Sequence, residues 1–187
     1  MDRSNNVVSC SVLIATYNGG KYLREQLDSI LRQQDVKVEI LIRDDGSTDG
    51  THNILNEYQK AGLLKWITGE HIGVPNGYLE LLKNAPNTDY YAFCDQDDIW
   101  DDDKLIYAIK KLEELPNDKP LIYYSSQRLV DEQGRLIRVH EIDINRTPYT
   151  NFLISNVAGC TTVFNKELFF AINKAEPDFI LMHDSWA

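Results

Sequence analysis

Cysteine is scarce in this chain: Cys10, Cys94 and Cys160 are widely spaced, odd in number and never arranged as CxxC. That usage argues against a disulfide framework or a structural zinc site; each cysteine lies in an apolar run, where a small reduced side chain packs. Also lacking is any long uncharged apolar stretch of the kind a membrane span needs. The opening residues, Met1 to Asn6, lead directly into a strand-like segment rather than a secretory hydrophobic region, so the expected compartment is the cytoplasm. Excess basic charge is missing too. Lys and Arg number 19 against 29 Asp and Glu, a net charge of −10, which argues against a nucleic-acid partner because phosphate backbones need a basic face. The same balance sets a condition: an anionic nucleotide would meet net repulsion here, and a bound divalent cation is the natural device to cancel it.

What is present is a length of 187 residues and a hydrophobic fraction of 43%, ordinary values for one soluble domain with a real core. Short apolar runs alternate with amphipathic stretches. Val7 to Ala15 reads as a buried strand, and Leu23, Leu27, Ile30 and Leu31 then recur at helical spacing after the Asn18-Gly19-Gly20 turn. Val36 to Ile42 is a second strand, and Ser47 or Asp49 is placed to cap a helix carrying Ile54, Leu55 and Tyr58. Leu63 to Thr68 and Tyr90 to Cys94 are further strands. Tyr78, Leu79 and Leu82 mark the helix between them, and Leu105, Ile109, Leu112 and Leu115 line the helix that follows. This alternation predicts an α/β fold with a mostly parallel sheet and helices on both faces. The second half adds a smaller mixed β region. It holds a strand at Leu121 to Ser125, a hairpin over Arg128 to Val139 turning at Glu132-Gln133-Gly134, a strand at Cys160 to Phe164 and a short helix near Lys166 to Ile172.

Ligands of such sheets bind beyond the carboxyl ends of the strands. There the sequence places Thr16-Tyr17-Asn18, Asp44-Asp45 and Asp95-Gln96-Asp97-Asp98, an edge rich in carboxylates. Asp95 and Asp97 are two apart, so in extended backbone their side chains share a face. Paired carboxylate oxygens suit a hard cation such as Mg2+ or Mn2+, with substrate phosphates or water completing its shell. Asp101, Asp102 and Asp103 read instead as acidic residues favouring the start of the next helix. Asp44 reads as an acceptor of turn N–H groups, and Asp45 is open to the same use.

The string Tyr91 to Trp100, with Asp95-Gln96-Asp97-Asp98 at its centre and Asp103-Lys104-Leu105 after it, resembles the DxD segment of family 2 glycosyltransferases, above all bacterial rhamnosyltransferase-type members. Val12 to Asn18, Ile42 to Asp49 and Met182-His183-Asp184-Ser185-Trp186 agree with it in order and spacing, so the resemblance covers nearly the whole chain. It departs at the residue before Tyr17, where the family often has proline, and at His71, where asparagine is common. The resemblance implies a GT-A fold and an inverting, metal-dependent transfer from a UDP- or dTDP-sugar to a saccharide or lipid-linked acceptor in cell-surface polysaccharide synthesis. Peripheral contact with the inner face of the membrane is compatible with it. Carried over residue by residue, Tyr17 stacks on the base beside backbone contacts from Ala15 and Thr16, and Asp45 accepts from the pyrimidine N–H. Asp95 faces the ribose or the metal, Asp97 ligates the metal, and Asp184 is the general base. His183 reads as a packed or solvated histidine rather than a metal ligand.

Residues 1–187 are thus expected to form one nucleotide-sugar-binding domain, truncated soon after Asp184, where a base near a free end would fray and transfer poorly. A non-catalytic nucleotide-sugar-binding module is the alternative from another class. A haloacid-dehalogenase-like phosphatase also carries DxD after a strand, its first Asp acting as nucleophile. That motif sits near the chain start and continues to Thr or Val, whereas Asp98-Ile99 follows here. A sugar nucleotidyltransferase would need a Gly-rich basic loop after the first strand, which Thr16-Tyr17-Asn18-Gly19-Gly20 does not supply.

Overall fold

The computed structural model describes residues 7–142 and 158–175. Strands β1 (Ser9–Thr16), β2 (Lys37–Asp44), β3 (Lys65–Thr68) and β4 (Tyr90–Cys94) alternate with helices α1 (Leu23–Leu31), α2 (Thr51–Lys60), α3 (Val74–Asn84) and α4 (Lys104–Glu113). The chain continues with β5 (Ile122–Tyr123), β6 (Gln127–Val130), β7 (Leu136–His140), a 3-10 turn at Gly159–Thr161, β8 (Val163–Asn165) and α5 (Lys166–Ala175). One sheet has the order β3-β2-β1-β4-β8-β5, and β6 and β7 form a separate hairpin. Neighbours among the first four strands run parallel, while β8 is antiparallel to both β4 and β5. The expected α/β architecture with a mostly parallel sheet is present.

Both faces of the sheet are covered, as residue alternation along each strand requires. Cys10, Val12 and Ile14 of β1 and Ala92 and Cys94 of β4 pack with Leu23, Leu27 and Ile30 of α1, Ile54, Leu55 and Tyr58 of α2, and Leu105 and Ile109 of α4. Leu13, Tyr91 and Phe93, one residue out of step, face Tyr78 and Leu81 of α3 and Phe169 and Ile172 of α5. Tyr91 stacks on Phe169 with ring centroids 3.9 Å apart. Truncating one such buried aliphatic or aromatic side chain to alanine costs roughly 2–5 kcal/mol.

Several expectations shift. β2 runs on to Asp44 because its ladder with β1 continues through Ala15 to Arg43 and Thr16 to Asp44. The segment Cys160 to Phe164 is not a continuous strand: Thr161 and Thr162 hydroxyls donate back to the carbonyls of Ala158 and Gly159, closing a 3-10 turn before β8. Leu115 lies past the end of α4 and is exposed. Helix α2 has Gly50 at its N-cap position, yet Asp49 accepts from the Thr51 N–H at 2.9 Å. Ser47 does not share that work; its hydroxyl bonds Asp44 and accepts from the Asn18 N–H. Nor do Asp101 and Asp102 cap α4 with their side chains. They form surface ion pairs with Arg128 and Arg32, and Asp103 at the N-cap makes no side-chain cap bond. All three cysteines are buried and free.

Candidate functional site

At the carboxyl edge of the sheet the loops after β1, β2 and β4 are tied to one another. Gln96 accepts through Oε1 from both the Thr16 hydroxyl at 2.9 Å and the Tyr17 N–H at 2.8 Å, joining the first loop to the acidic turn. A side chain at Gly19 would have no room, because its Cβ would lie 2.6 Å from Thr16 Oγ1 and 3.0 Å from Gln96 Oε1. Asn18, with φ of 52°, joins the first loop to the second: its N–H donates to Ser47 Oγ and its Oδ1 accepts from the Thr48 N–H. The Asp45 N–H donates to the Thr16 carbonyl at 2.8 Å. These bonds hold the Tyr17 ring at the edge, 45% exposed and 4.6 Å in centroid distance from the His71 ring.

Asp44 and Asp45 are adjacent but do different work. Asp44 is fully buried and accepts from the Gly46 and Ser47 N–H groups, the Ser47 hydroxyl and His52 Nε2. Burial alone would raise its pKa; the bonds from Ser47 and His52 outweigh that and hold it below the usual carboxylate range. It is a turn organiser, as expected. Asp45, one residue past β2, is buried as well. Its Oδ1 takes the Arg43 guanidinium and the Ile72 N–H, and its Oδ2 takes the Gly73 N–H at 3.0 Å and His71 Nδ1 at 2.7 Å. Arg43, only 2% exposed, also pairs with Glu80 through Nε and donates to the Glu70 carbonyl. A buried charge needs such partners. Sequence reading gave Arg43 and Gln96 no role; an arginine within a buried strand was the available signal for the first.

The turn after β4 is pinned from beneath by the Tyr78 hydroxyl, which donates to the Cys94 carbonyl at 2.7 Å, and by Gln26, which donates to the Asp95 carbonyl. Above it, one ligand atom each from Asp95, Asp98 and Cys160 lie within 4.8 Å of one another. Asp97 stands more exposed on the same turn. Asp98 is pushed up to about 6, first by burial and then by the neighbouring charges of Asp95 and Asp97, although Cys160 and Lys104 pull the other way. The turn gathers the carboxylates of Asp95, Asp97 and Asp98. Its hard oxygen donors fit a divalent cation such as Mn2+ or Mg2+. Burial, with the charges of Asp98 and Asp95, raises the pKa of the Cys160 thiol, and its soft sulfur matches such a cation less well than the carboxylates do. Lys104 donates to the Cys160 carbonyl at 3.0 Å, and burial lowers its pKa.

The structure thus brings Ala15, Thr16, Tyr17, Asp45, Asp95 and Asp97 to one sheet edge, with Asp98, which the sequence placed in the acidic string without a ligand role, beside Asp95. Asp184 and His183 lie outside the described residues. Among those described, no helix is long and apolar enough to cross a membrane.

Comparison with known proteins agrees with this fold. The glycosyl transferase family 2 model matches residues 11–175. A dTDP-rhamnosyl transferase, RfbG of Shigella flexneri, is 34% identical over 91% of this chain, which spans 62% of that relative's length. S. aureus TarS 1-349 in complex with UDP-GlcNAc is 30% identical over 57% of this chain and 31% of its own, with a TM-score of 0.52. The Pyrobaculum calidifontis mannosyltransferase PcManGT, in complex with GDP-Man and Mn2+, shares the fold at a TM-score of 0.68 and 20% identity over 97% of this chain and 51% of its own. Sheet order, the knitted loops at its carboxyl edge and a family match spanning that whole edge lead to one assignment: the chain belongs to glycosyl transferase family 2.

Proposed function

We propose that residues 1–187 form the nucleotide-sugar-binding and catalytic domain of an inverting transferase. It takes a UDP- or dTDP-sugar with Mn2+ or Mg2+ and passes the sugar to a saccharide or lipid-linked acceptor in cell-surface polysaccharide synthesis at the cytoplasmic side. The observation that carries this reading is the convergence of Tyr17, Asp45 and Asp95 on one edge, with Gln96 tying the first loop to the third. Tyr17 offers its exposed face to the base, with Ala15 and Thr16 beside it. Asp45 accepts the pyrimidine N–H, and Asp95 faces the ribose. Asp95 and Asp97, with Asp98 at hand, would hold the cation, which supplies charge neutralisation at the diphosphate. Asp184 takes the proton from the acceptor hydroxyl. The hydroxyl oxygen then bonds to the anomeric carbon from the face opposite the diphosphate, whose C–O bond breaks. A positioned base of this kind contributes about 10²–10⁴-fold.

Calorimetric titration with UDP, dTDP, GDP and ADP in Mn2+ tests the reading. Pyrimidine diphosphates are expected to bind more tightly than purine ones. Asp45→Ala should remove a preference of roughly 1–3 kcal/mol, the cost of a buried donor left unpaired. Equal affinity for ADP and UDP in the unmodified chain would contradict it.

A further inference from the structure

His71 lies in the segment between β3 and α3, and its imidazole meets two groups that the reading above assigns to the base. Nδ1 is 2.7 Å from Asp45 Oδ2, and the ring centroid is 4.6 Å from that of Tyr17, tilted by 52°. A flat heteroaromatic ring with a nitrogen at Asp45 and its body packed against Tyr17 shares recognition features with a pyrimidine base. We propose that His71 is an intramolecular stand-in for the nucleotide base, which a donor must displace from Asp45 and Tyr17 in order to bind. This inference rests on the donor reading given above.

The donor set of Asp45 shows why His71 is the partner that yields. Arg43 and the Ile72 N–H lie on Oδ1, and the Gly73 N–H and the His71 Nδ1 lie against Oδ2, so the four positions around the carboxylate are taken. Arg43 is buried and held by Glu80 and the Glu70 carbonyl, and the Ile72 and Gly73 donors are backbone groups. With Glu70, Ile72 and Gly73 all anchored, the backbone on both sides of His71 is fixed, and only its side chain, 61% exposed, is free to rotate away. A base N–H replacing Nδ1 keeps Asp45 fully bonded, so exchange costs little. A base without a donor at that position would leave a buried carboxylate oxygen short of a partner, which sharpens discrimination.

The test is calorimetric titration of the full chain and of His71→Ala with UDP, dTDP and ADP in Mn2+. The variant should bind the pyrimidine nucleotides about 3- to 10-fold more tightly, as expected when a self-occluded state holds most of the population. Equal or weaker binding by His71→Ala would overturn the proposal while leaving the donor reading standing. If neither protein prefers pyrimidine nucleotides over ADP, both readings fall together.

Discussion

Around Arg43 and Asp45, polar side chains are buried and every one of them is answered by another group; on the β6–β7 hairpin the arrangement is reversed. There Leu129, Val130, Leu136, Ile137 and Val139 stand exposed. The polar ties of that hairpin to the rest of the chain include the surface ion pairs Lys21–Glu132 and Arg128–Asp101. Exposed pairs contribute about 0–1 kcal/mol, whereas removing one partner from a buried pair costs several times more. Among the described residues, buried bonds thus fix the carboxyl edge of the sheet, while the hairpin is tied mostly through exposed side chains.

The largest effect should come from breaking the buried side of this comparison. Arg43→Ala leaves Asp45 and part of Glu80 without their cation, and unfolding in denaturant should show a loss of about 3–5 kcal/mol. A loss below about 1 kcal/mol would mean that water reaches the pair and the contrast is overstated. Next comes Gln96→Ala, which frees the Thr16 hydroxyl and the Tyr17 N–H. Nucleotide affinity should fall about tenfold, from roughly 1–1.5 kcal/mol of lost positioning, with a smaller change in unfolding midpoint. The reverse order of effects would make Gln96 a stability residue only.

Asp44 gives a pH test of the same region. Its folded pKa is depressed, so its contribution is complete above the ordinary aspartate range and is lost as pH falls through the folded value. Acid titration of stability should therefore be shallower in Asp44→Asn than in the parent at pH values below that range. Identical acid profiles would remove Asp44 from the account. The smallest effect belongs to the hairpin: Ile137→Ser, at a site 66% exposed, should change stability by no more than about 0.5 kcal/mol. A larger loss would show that the hairpin is held by more than its visible ties.

Much of the fold was legible because β1 to β4 and their helices obey simple periodicity, and because chain order in a parallel sheet constrains where the loops after β1, β2 and β4 meet. The misreading at Cys160 to Phe164 arose because Thr161 and Thr162 look like strand residues by propensity. Their hydroxyls instead close a turn on Ala158 and Gly159, which periodicity cannot reveal. Within the site, Tyr17, Asp45, Asp95 and Asp97 were singled out from motifs. The approach of Cys160 to Asp95 and Asp98 was not, since it depends on β8 pairing antiparallel to β4. The role of Arg43 was hidden for a related reason: its partners Asp45, Glu70 and Glu80 come from three different stretches of chain.

The central claim is that the turn after β4 holds a cation that lets an acidic protein bind a nucleotide diphosphate. Calorimetric titration of dTDP and UDP with and without Mn2+, in the parent and in Asp97→Ala, addresses it directly. Affinity in the parent should depend on Mn2+, and the variant should lose that dependence while unfolding at nearly the same midpoint. Nucleotide binding that is unchanged by Mn2+ in the parent, or unchanged by Asp97→Ala, would contradict it.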